Sequence, residues 1–299
     1  MMLKNFGQME QFVREQSGKK RVALAAAHDA DALGSLMMAV DRGIAEAILI
    51  GRRKEIVRVL DEMGKDAGDF RIIEEADDRA AADKAVELVH CGEADMPMKG
   101  LMHTSTFMKA ILDKEKGLKE EGNLLSQASV FEIPEKDRFL IISDCAVNID
   151  PDLETKIKIT ENAAALAHTL GIEQPKIAVL SAVEVVNPKI RSTVDAAAMR
   201  ERLSDRYLID GPLALDNAID EAAAHPKGIE SPVAGNADIL IVPDLWSGNI
   251  FSKGLVFFAH LRSAGTLNGL KAPVVMSSRT DTVENKYLSI LTAVLQTIR

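Results

Sequence analysis

The residues most suited to binding a phosphate group lie near the C-terminus, where Ser278 and Arg279 follow a short apolar run. A guanidinium can hold phosphate through two parallel hydrogen bonds and stays charged at neutral pH, so it can also stabilise a dianionic leaving group. Asp281 lies two residues further on and adds a carboxylate. The same residues also fit a capped helix start with an arginine in a surface ion pair, and residue types alone leave both interpretations open.

A second polar stretch, residues 98–109, combines cations and hydroxyls around a glycine. A loop of this kind at the start of a helix can hold phosphate oxygens with backbone N–H groups, hydroxyls and lysine charges. The alternative is an ordinary helix start with solvated lysines. The candidate substrate-binding residues of this stretch are Lys99, His103, Thr104, Ser105 and Lys109.

The third stretch, residues 243–253, follows an apolar run and contains an acid, a glycine, an amide and a lysine. Gly248 and Asn249 are its candidate substrate-binding residues. Asp, Ser, Gly and Asn are also turn-forming residues, so a turn followed by a helix start explains the same composition.

Metal binding and nucleophilic catalysis have weaker candidates. Asp29 and Asp31 form a His-Asp-x-Asp motif with His28, but a carboxylate directly before an apolar helix at 33–40 favours a helix N-cap, so no metal site is assigned. Cys145 follows a predicted strand, yet small buried cysteines are common in protein cores, which favours a structural role. The sequence has no dinucleotide-binding glycine motif, phosphate loop, serine-hydrolase elbow or His-Glu-x-x-His motif.

Composition narrows the class of protein further. The 299 residues carry 36 basic and 45 acidic side chains, a formal charge of -9, which disfavours nonspecific nucleic-acid binding but allows local binding of a small anion. No apolar run reaches the roughly 18 residues of a membrane span, and the polar start is unlike a signal peptide. Two cysteines fit a reducing compartment. We therefore expect a cytoplasmic protein with small-molecule substrates, whose partners include neither nucleic acid nor a membrane.

The candidate residues must be positioned by a sheet, and the hydrophobic pattern predicts one. Short runs rich in Val, Ile and Leu alternate with helical segments, as in α/β proteins with buried parallel strands and crossover helices. Because ligands of open α/β sheets bind at the carboxyl ends of strands, the polar residues after these runs mark the expected site. The predicted strands are residues 22–26, 47–50, 139–142, 177–180, 239–242 and 274–276. Apolar helix faces are predicted through Leu153, Ile157, Ala164 and Ala167, and through Leu288, Leu291, Leu295 and Ile298.

Two domains are expected, because the chain is about twice as long as an ordinary domain of roughly 150 residues. A charged, proline-containing stretch at 129–138 separates the two patterned halves. The domain boundary is therefore predicted within this stretch, after residue 133.

Five segments, taken together and in this order, resemble the phosphate acetyltransferase and phosphate butyryltransferase family. The longest reads Ile-Ile-Ser-Asp-Cys-Ala-Val-Asn-Ile-Asp-Pro-Asp-Leu from residue 141 to residue 153. The others are Val-Leu-Ser-Ala-Val-Glu at 179–184, Asp-Gly-Pro-Leu-Ala-Leu-Asp at 210–216, Ser-Pro-Val-Ala-Gly-Asn-Ala-Asp at 231–238 and Pro-Asp-Leu-Trp-Ser-Gly-Asn at 243–249. The single compact chain and residues 148–156 are more similar to the butyryl branch than to the acetyl branch.

The resemblance implies a reversible reaction in which phosphate and butyryl-CoA, or a related short-chain acyl-CoA, give acyl phosphate and CoA. CoA and acyl-CoA act as substrates by direct attack in a ternary complex, and no metal, nicotinamide or other cofactor is implied. The implied fold has two α/β domains with the active site in the cleft between them, as in the isocitrate/isopropylmalate dehydrogenase group. In that fold the chain returns at its end, so the first domain is residues 1–133 plus 274–299 and the second is 134–273. Homodimers or larger homo-oligomers are also implied.

The resemblance assigns roles to single residues as well. Ser278 and Arg279 match the family's Ser-Arg pair, which polarises the acyl carbonyl and binds phosphate. Lys109 lies where acetyl-specific relatives have an arginine for CoA or phosphate. Asn285 stands where those relatives have an aspartate proposed as the base for the CoA thiol, and an amide cannot take that proton.

The missing base leaves several alternatives open. A thiol with a pKa near 8.5 is mostly protonated at neutral pH and attacks poorly. Asp281 is the predicted substitute, as a base or as a group that orients the thiol, and Glu284 is a second nearby carboxylate. As the N-cap of the final helix Asp281 has a structural role instead, and Thr280 competes for that role. Arg279, Lys109 and a helix N-terminus can also stabilise the thiolate directly.

Three other functions are compatible with the resemblance. A phosphate acetyltransferase performs the same chemistry on a shorter acyl group. A non-catalytic acyl-CoA sensing module is the alternative from another class, because this fold also occurs as an appended regulatory domain, although the unfused chain retains Ser278 and Arg279. A dehydrogenase of the same fold group is disfavoured, because the sequence lacks a nucleotide motif and clustered metal carboxylates.

Overall fold

The computed structural model of the protein describes residues 1–16 and 18–299. Over these residues the chain is a mixed α/β protein, which confirms the predicted class. The strands are β1 (Lys20–Ala25), β2 (Ala45–Gly51), β3 (Arg71–Glu74), β4 (Met96–Lys99), β5 (Ser126–Ile133), β6 (Arg138–Ser143), β7 (Lys176–Leu180), β8 (Leu208–Leu213), β9 (Ile239–Ile241) and β10 (Ser263–Asn268). The helices are α1 (Phe6–Glu15), α2 (Ala30–Asp41), α3 (Arg53–Glu62), α4 (Asp78–His90), α5 (Thr104–Ile111), α6 (Leu153–Thr169), α7 (Arg191–Leu203), α8 (Leu215–Ile219), α9 (Glu221–Ala224), α10 (Leu245–Phe257) and α11 (Val283–Ile298). None of the helices in the described part of the chain has the length and apolar character of a membrane span.

The chain divides into two compact units. The terminal unit contains Phe6–Asn123 and Ala264–Arg299, and the central unit contains Met1–Asn5 and Leu124–Ser263. Helix α11 therefore belongs with the first part of the chain. The chain passes from one unit to the other after residues 5, 123 and 263, whereas the expected breaks follow residues 133 and 273.

The stretch at 129–138 lies inside the central unit and is part of a hairpin. Strands β5 and β6 pair in antiparallel register across it, with Ile133 opposite Arg138. Pro134 begins a short 3-10 segment, and Asp137 has a left-handed backbone conformation with φ of 45°. Proline and the charged residues at this point make a tight turn, which the sequence pattern does not distinguish from a linker between domains.

The terminal unit contains a parallel sheet with strand order β3-β2-β1-β4. Its strand β1 is buried over the four residues Val22 to Ala25, as the apolar run at 22–26 predicts. Helix α2 begins directly after this strand, because the Asp29 carboxylate accepts a hydrogen bond from the backbone N–H of Asp31 at 3.3 Å. This confirms the N-cap interpretation of Asp29. Strand β4 pairs with β1, with Lys99 opposite Ala25, so the two strands end at the same edge of the sheet.

The strand expected at 274–276 is wrong. Val275 forms a single bridge with Met98, and Val274 forms a single bridge with Leu267. Pro273 lies directly before these residues and has no backbone N–H to donate to a ladder, which limits the pairing. The segment still brings the chain beside the end of β4, where it leads into residues 277–282.

Helix α11 is buried on more than its predicted face over most of its length, although Ile298 of that face is only partly buried. The pattern predicts one apolar face, but every residue from 285 to 295 is buried. The buried residues include Asn285 and the charged Lys286, both in the first turn of the helix. A helix surrounded on all sides provides a rigid support for the residues just before it.

The central unit has its strands in the order β5-β6-β9-β7-β8. Strands β6, β9, β7 and β8 run parallel, while β5 is antiparallel to β6. Helix α6 buries Ile157, Ala164 and Ala167 of its predicted face, whereas Leu153 at its start is only partly buried. Helix α10 differs from the others, because Gly248 is the only buried residue along its length.

Candidate functional site

Residues 278–281 form a tight turn in the terminal unit, which we call the Arg279 turn. The backbone N–H of Ser278 donates to Asp281 Oδ2 at 2.7 Å, and the backbone N–H of Asp281 donates to the Ser278 carbonyl at 3.3 Å. The hydroxyls of Ser278 and Thr280 lie 3.1 Å apart in a further hydrogen bond. The Ser278 and Arg279 side chains are exposed. The turn therefore presents a hydroxyl and a guanidinium to a ligand.

Arg279 contacts the second polar stretch that the sequence marks. Its Nη2 lies 3.3 Å from Nδ1 of His103, which is the N-cap residue of α5. His103 makes no side-chain hydrogen bond to the helix, and Thr104 and Ser105 are exposed in the first turn. The start of α5 thus exposes the hydroxyl-bearing residues Thr104 and Ser105, and its N-cap residue contacts a guanidinium, an arrangement that suits phosphate.

A close approach of the backbone places this helix start. Gly100 donates its N–H to the Ala25 carbonyl at 2.8 Å, at the end of β1. A Cβ at position 100 would lie 2.3 Å from the carbonyl oxygen of Ala26, so only glycine fits here. The glycine that the sequence marks as part of a binding loop has a steric reason in the packing of β4 against β1.

Lys99 is the buried cation of the site. Its side chain lies at the end of β4, the residue is 5% exposed, and Nζ donates to the Gly100 carbonyl at 3.3 Å. Burial lowers the pKa of Lys99, and the charges of Arg279 and Lys286 lower it further, while Asp29 and Asp281 act in the opposite direction. Because burial makes the charged form of Lys99 unfavourable, a bound anion stabilises this ammonium more than it would a solvated one.

Asp281 does not cap the final helix. The N-cap of α11 is Thr282, whose hydroxyl accepts from the backbone N–H of Asn285 at 3.1 Å. The expected cap roles of Asp281 and Thr280 are therefore wrong, because one residue further along the chain has the extended conformation that a cap needs. The Asp281 carboxylate instead closes the Arg279 turn.

Lys109 lies in the last turn of α5, and its side chain is exposed. It is five residues after Thr104, which is roughly 7.5 Å along a helix axis. The structure therefore separates Lys109 from the hydroxyls at the start of α5. Its predicted contact with CoA or phosphate stays a prediction.

The remaining two predicted residues lie in the central unit and contact the loop after β6. A Cβ on Gly248 would lie 2.5 Å from the carbonyl oxygen of Asp144. The side-chain amide of Asn249 donates to the carbonyl of Cys145 at 3.1 Å. Both residues thus hold α10 against this loop, and their binding of substrate stays a prediction.

The same loop is organised by the buried carboxylate of Asp144. Its Oδ1 accepts from the backbone N–H groups of Ala146 and Val147, and its Oδ2 accepts from the Asn148 side chain at 2.6 Å. A buried carboxylate with this many donors is a structural anchor. Within the segment at 141–153, the residue types of Asp144 and Asn148 therefore have a physical reason.

Cys145 is buried and poorly suited to nucleophilic attack. Its residue is 3% exposed, and its Sγ lies 3.5 Å from the carbonyl oxygen of Ile142. Burial, and to a lesser extent the Asp144 charge, raise the pKa of the thiol well above its ordinary value. The reactive form is the thiolate, and the raised pKa of Cys145 disfavours it at neutral pH.

Replacement of Cys145 by alanine should leave turnover within about twofold of the wild type, because the thiol takes no part in bond formation. A buried sulfur leaves a small cavity, so the free energy of unfolding should fall by about 1 kcal/mol. Steady-state kinetics and thermal denaturation of the same preparation check both effects. Loss of activity in a folded Cys145→Ala variant would reopen a covalent route.

The His-Asp-x-Asp motif does not gather ligands. Asp29 caps α2, and Nε2 of His28 faces Glu55 at 3.9 Å. Within residues 1–16 and 18–299, no group of three or more His, Cys, Asp and Glu side chains is placed to hold a metal ion.

Sequence reasoning missed one residue of this region, Lys286. It belongs to the group of charges around Lys99, although it lies in a helix that the pattern marks only by its apolar face. The sequence offers only a weak signal, because Lys286 follows Glu284 and Asn285 in a polar first turn and precedes the apolar part of the helix. Its meaning depends on burial, which the sequence alone does not show.

Known proteins resemble the chain over nearly all of its length. A family model described as Phosphate acetyl/butaryl transferase matches residues 69–294. Phosphate butyryltransferase of Clostridium acetobutylicum is 45% identical over 98% of both chains, and phosphate acetyltransferase of Thermotoga maritima is 42% identical over 94% of this chain and 97% of that one. The crystal structure of a branched-chain phosphotransacylase from Enterococcus faecalis V583 matches with a TM-score of 0.82 and 35% identity, covering 93% of this chain and 98% of that one. The chain therefore belongs to the phosphate acetyl/butaryl transferase family.

Proposed function

We propose that the protein transfers a butyryl group, or a related short acyl group, reversibly between CoA and phosphate. The observation that carries the proposal is the contact of the Arg279 guanidinium with His103 beside the buried Lys99. These groups, with the exposed hydroxyls at the start of α5, supply the charges and donors that bind a phosphate. The name of the Clostridium acetobutylicum relative supports the butyryl group.

In the direction of acyl-CoA formation, we assign the charges of Arg279 and Lys99 to the phosphoryl oxygens of the acyl phosphate. The Ser278 hydroxyl donates to the acyl carbonyl oxygen, where negative charge develops. The CoA sulfur forms a bond to the carbonyl carbon, the bond from that carbon to the phosphate oxygen breaks, and phosphate leaves held by the two cations. The thiol proton passes to the leaving phosphate or to solvent, so the chemistry requires neither a protein nucleophile nor a resident cofactor.

The assay that tests this proposal measures free CoA released from butyryl-CoA with and without phosphate. We expect release that depends on phosphate and persists after treatment with a chelator. Comparison of acetyl-, butyryl- and isobutyryl-CoA separates a butyryl enzyme from a phosphate acetyltransferase, the alternative that the Thermotoga maritima relative supports. Tight binding of acyl-CoA without any turnover would favour the sensing module instead.

Asp281 is proposed to orient Ser278 rather than to take the thiol proton, because its carboxylate is used by the Ser278 N–H. Asparagine keeps an acceptor oxygen, so Asp281→Asn should retain turnover within about threefold, while Asp281→Ala should lower it about tenfold by loosening the turn. Turnover over a range of pH for both variants checks this. A loss of roughly a hundredfold in Asp281→Asn, together with loss of the acidic limb of the profile, would show that Asp281 is the base.

We also propose that the protein forms a homodimer or a larger homo-oligomer through α10. Ile250 is 72% exposed and Phe258 is 90% exposed, and Trp246 and Phe257 are exposed on the same segment. Large apolar side chains grouped in this way are typical of protein interfaces. Association of two copies would remove them from water.

Ile250→Asp should therefore shift the protein to a smaller species, because a desolvated carboxylate opposes association. Light scattering coupled to size-exclusion chromatography measures the mass of both proteins. Lys253→Asp, on the same helix, tests whether the effect comes from charge alone. An unchanged mass for Ile250→Asp would place any interface elsewhere.

The finer architecture and location belong to the same proposal. The parallel sheet of the terminal unit, the mixed sheet of the central unit and the return of α11 to the first part of the chain support a fold of the isocitrate/isopropylmalate dehydrogenase type. Both cysteines are free, with Cys91 exposed, which supports a reducing compartment and hence the cytoplasm.

A further inference from the structure

Lys286 has no role in the reaction proposed above, yet it is one of the most buried charged residues of the terminal unit. Its side chain is 3% exposed, in the first turn of α11. Its ammonium donates a hydrogen bond to the backbone carbonyl of Asp281 and lies 3.8 Å from the carboxylate of Asp31. Burying an ammonium is costly, so its hydrogen bonds must compensate for lost hydration.

The hydrogen bond to Asp281 connects a rigid helix to an exposed turn. Helix α11 is buried from residue 285 to residue 295, so the lysine side chain projects from a fixed support. The carbonyl that accepts this hydrogen bond belongs to Asp281, the last residue of the Arg279 turn. Ser278 is held separately, because its N–H donates to Asp281 Oδ2. Arg279 itself is exposed, and the backbone of the turn, together with the contact to His103, sets the direction of its guanidinium.

A second contact links Lys286 to the start of α2, the helix that follows β1. Asp31 lies in the first turn of α2, and Asp29 caps the same helix. The charge of Asp29 raises the pKa of Lys99, and the charge of Lys286 lowers it. Lys286 therefore lies between the two segments that bring a carboxylate and a guanidinium close to Lys99.

We propose that Lys286 is a positioning residue, which fixes the Arg279 turn so that the guanidinium points at its anionic ligand. The inference rests on the proposed function, since that function assigns phosphate to Arg279. Lys286 does not touch the ligand: it acts through the Asp281 carbonyl. A direct effect of its charge on the anion is the competing explanation.

A double-mutant cycle separates positioning from a direct charge effect. Lys286→Met should lower kcat/KM for phosphate about tenfold in the wild-type background, and by less than twofold in the Arg279→Ala background, because no guanidinium remains to be positioned. A direct charge effect would persist in Arg279→Ala and would weaken with added salt. Lys156→Met provides the matched control, since Lys156 is another buried lysine, paired with Asp195 at 2.7 Å in the central unit. It should lower stability without changing phosphate kinetics.

Hydrogen exchange measured by mass spectrometry gives a readout that does not depend on activity. The amides of Ser278 and Asp281 are hydrogen-bonded within the turn, so they should exchange at least about threefold faster in Lys286→Met and unchanged in Lys156→Met. If Lys286→Met does not fold, Asp31→Asn replaces it, because the Asp31 side chain is 56% exposed and its loss leaves the core intact. The expected effects of Asp31→Asn are smaller and have the same dependence on Arg279.

Equal losses in the wild-type and Arg279→Ala backgrounds, or unchanged exchange of the turn amides, would overturn the assignment. A wild-type protein without phosphate-dependent turnover would instead refute the proposed function. In that case the exchange measurement still decides whether Lys286 holds the turn.

Discussion

Replacement of Arg279 by lysine should lower kcat/KM for phosphate by at least about a hundredfold, although the positive charge is retained. A guanidinium binds two phosphate oxygens in one plane, whereas an ammonium offers a single point of charge. Loss of one well-placed donor to a developing charge typically costs a hundredfold to a thousandfold in rate. The lysine would also lose the contact to His103 Nδ1. Initial rates at varied phosphate and butyryl-CoA measure the effect and show which substrate it concerns.

Arg58→Lys is the matched control for this variant. Arg58 is an exposed arginine of the same unit, in an ion pair with Glu62 along α3. Surface pairs of this type contribute little, so its kinetics and stability should stay close to those of the wild type. If Arg279→Lys were as active as Arg58→Lys, phosphate would have to bind away from the Arg279 turn.

Replacement of Lys99 by methionine should raise KM for phosphate by about tenfold or more while thermal stability stays equal or rises. Removal of the ammonium takes away one of the two cations assigned to phosphate, which explains the kinetic loss. Methionine fills a similar volume without a charge to desolvate, which explains the retained stability. A variant that loses activity and gains stability identifies a residue that serves function, whereas loss of both is expected for a residue that serves packing.

The pH dependence of the wild type follows from the same residue. Burial lowers the pKa of Lys99 in the folded protein, so its ammonium is lost at a lower pH than that of an ordinary lysine. Phosphate binding that needs this charge should weaken as pH rises through the lowered pKa. The free energy of unfolding depends on pH in the opposite sense. Below the lowered pKa of the folded state, Lys99 is charged in both states and its burial destabilises the folded protein. This destabilisation decreases as pH rises and is gone above the pKa of the unfolded chain. Lys99→Met should lose both dependences.

Lys156→Met controls for the removal of a buried lysine. Its ammonium is paired with Asp195, so methionine there breaks an ion pair and should lower the melting temperature. Phosphate kinetics should not change. A fall in stability for Lys99→Met as large as that for Lys156→Met would show that Lys99 serves packing.

Local patterns in the sequence were sufficient to predict several of the elements and to name most of the candidate reactive groups. The run at 22–26 became β1, and the carboxylate after it became the cap of α2. Both depend on neighbours within a few residues, through apolar periodicity and a side chain that satisfies a nearby N–H. Ser278, Arg279 and His103 could be named in advance because guanidinium, hydroxyl and imidazole have the same chemistry in any fold.

Distant contacts decided the rest. His103 and Arg279 are 176 positions apart and meet only because β4 and the segment around Val275 end side by side. The stretch at 129–138 became a hairpin turn because β5 pairs with β6, a pairing that a proline and several charges do not reveal.

The sequence also did not show which charged side chains are buried. From the sequence, Lys99 and Lys286 are indistinguishable from solvated lysines. In the structure, the packing of β4 and α11 buries both side chains. Thr282, rather than Asp281, became the helix cap because the turn before it uses the aspartate. The sequence thus determined which chemical groups and which local elements are present. The tertiary structure decided which of those groups meet and which lose their solvent, since both depend on residues far apart along the chain.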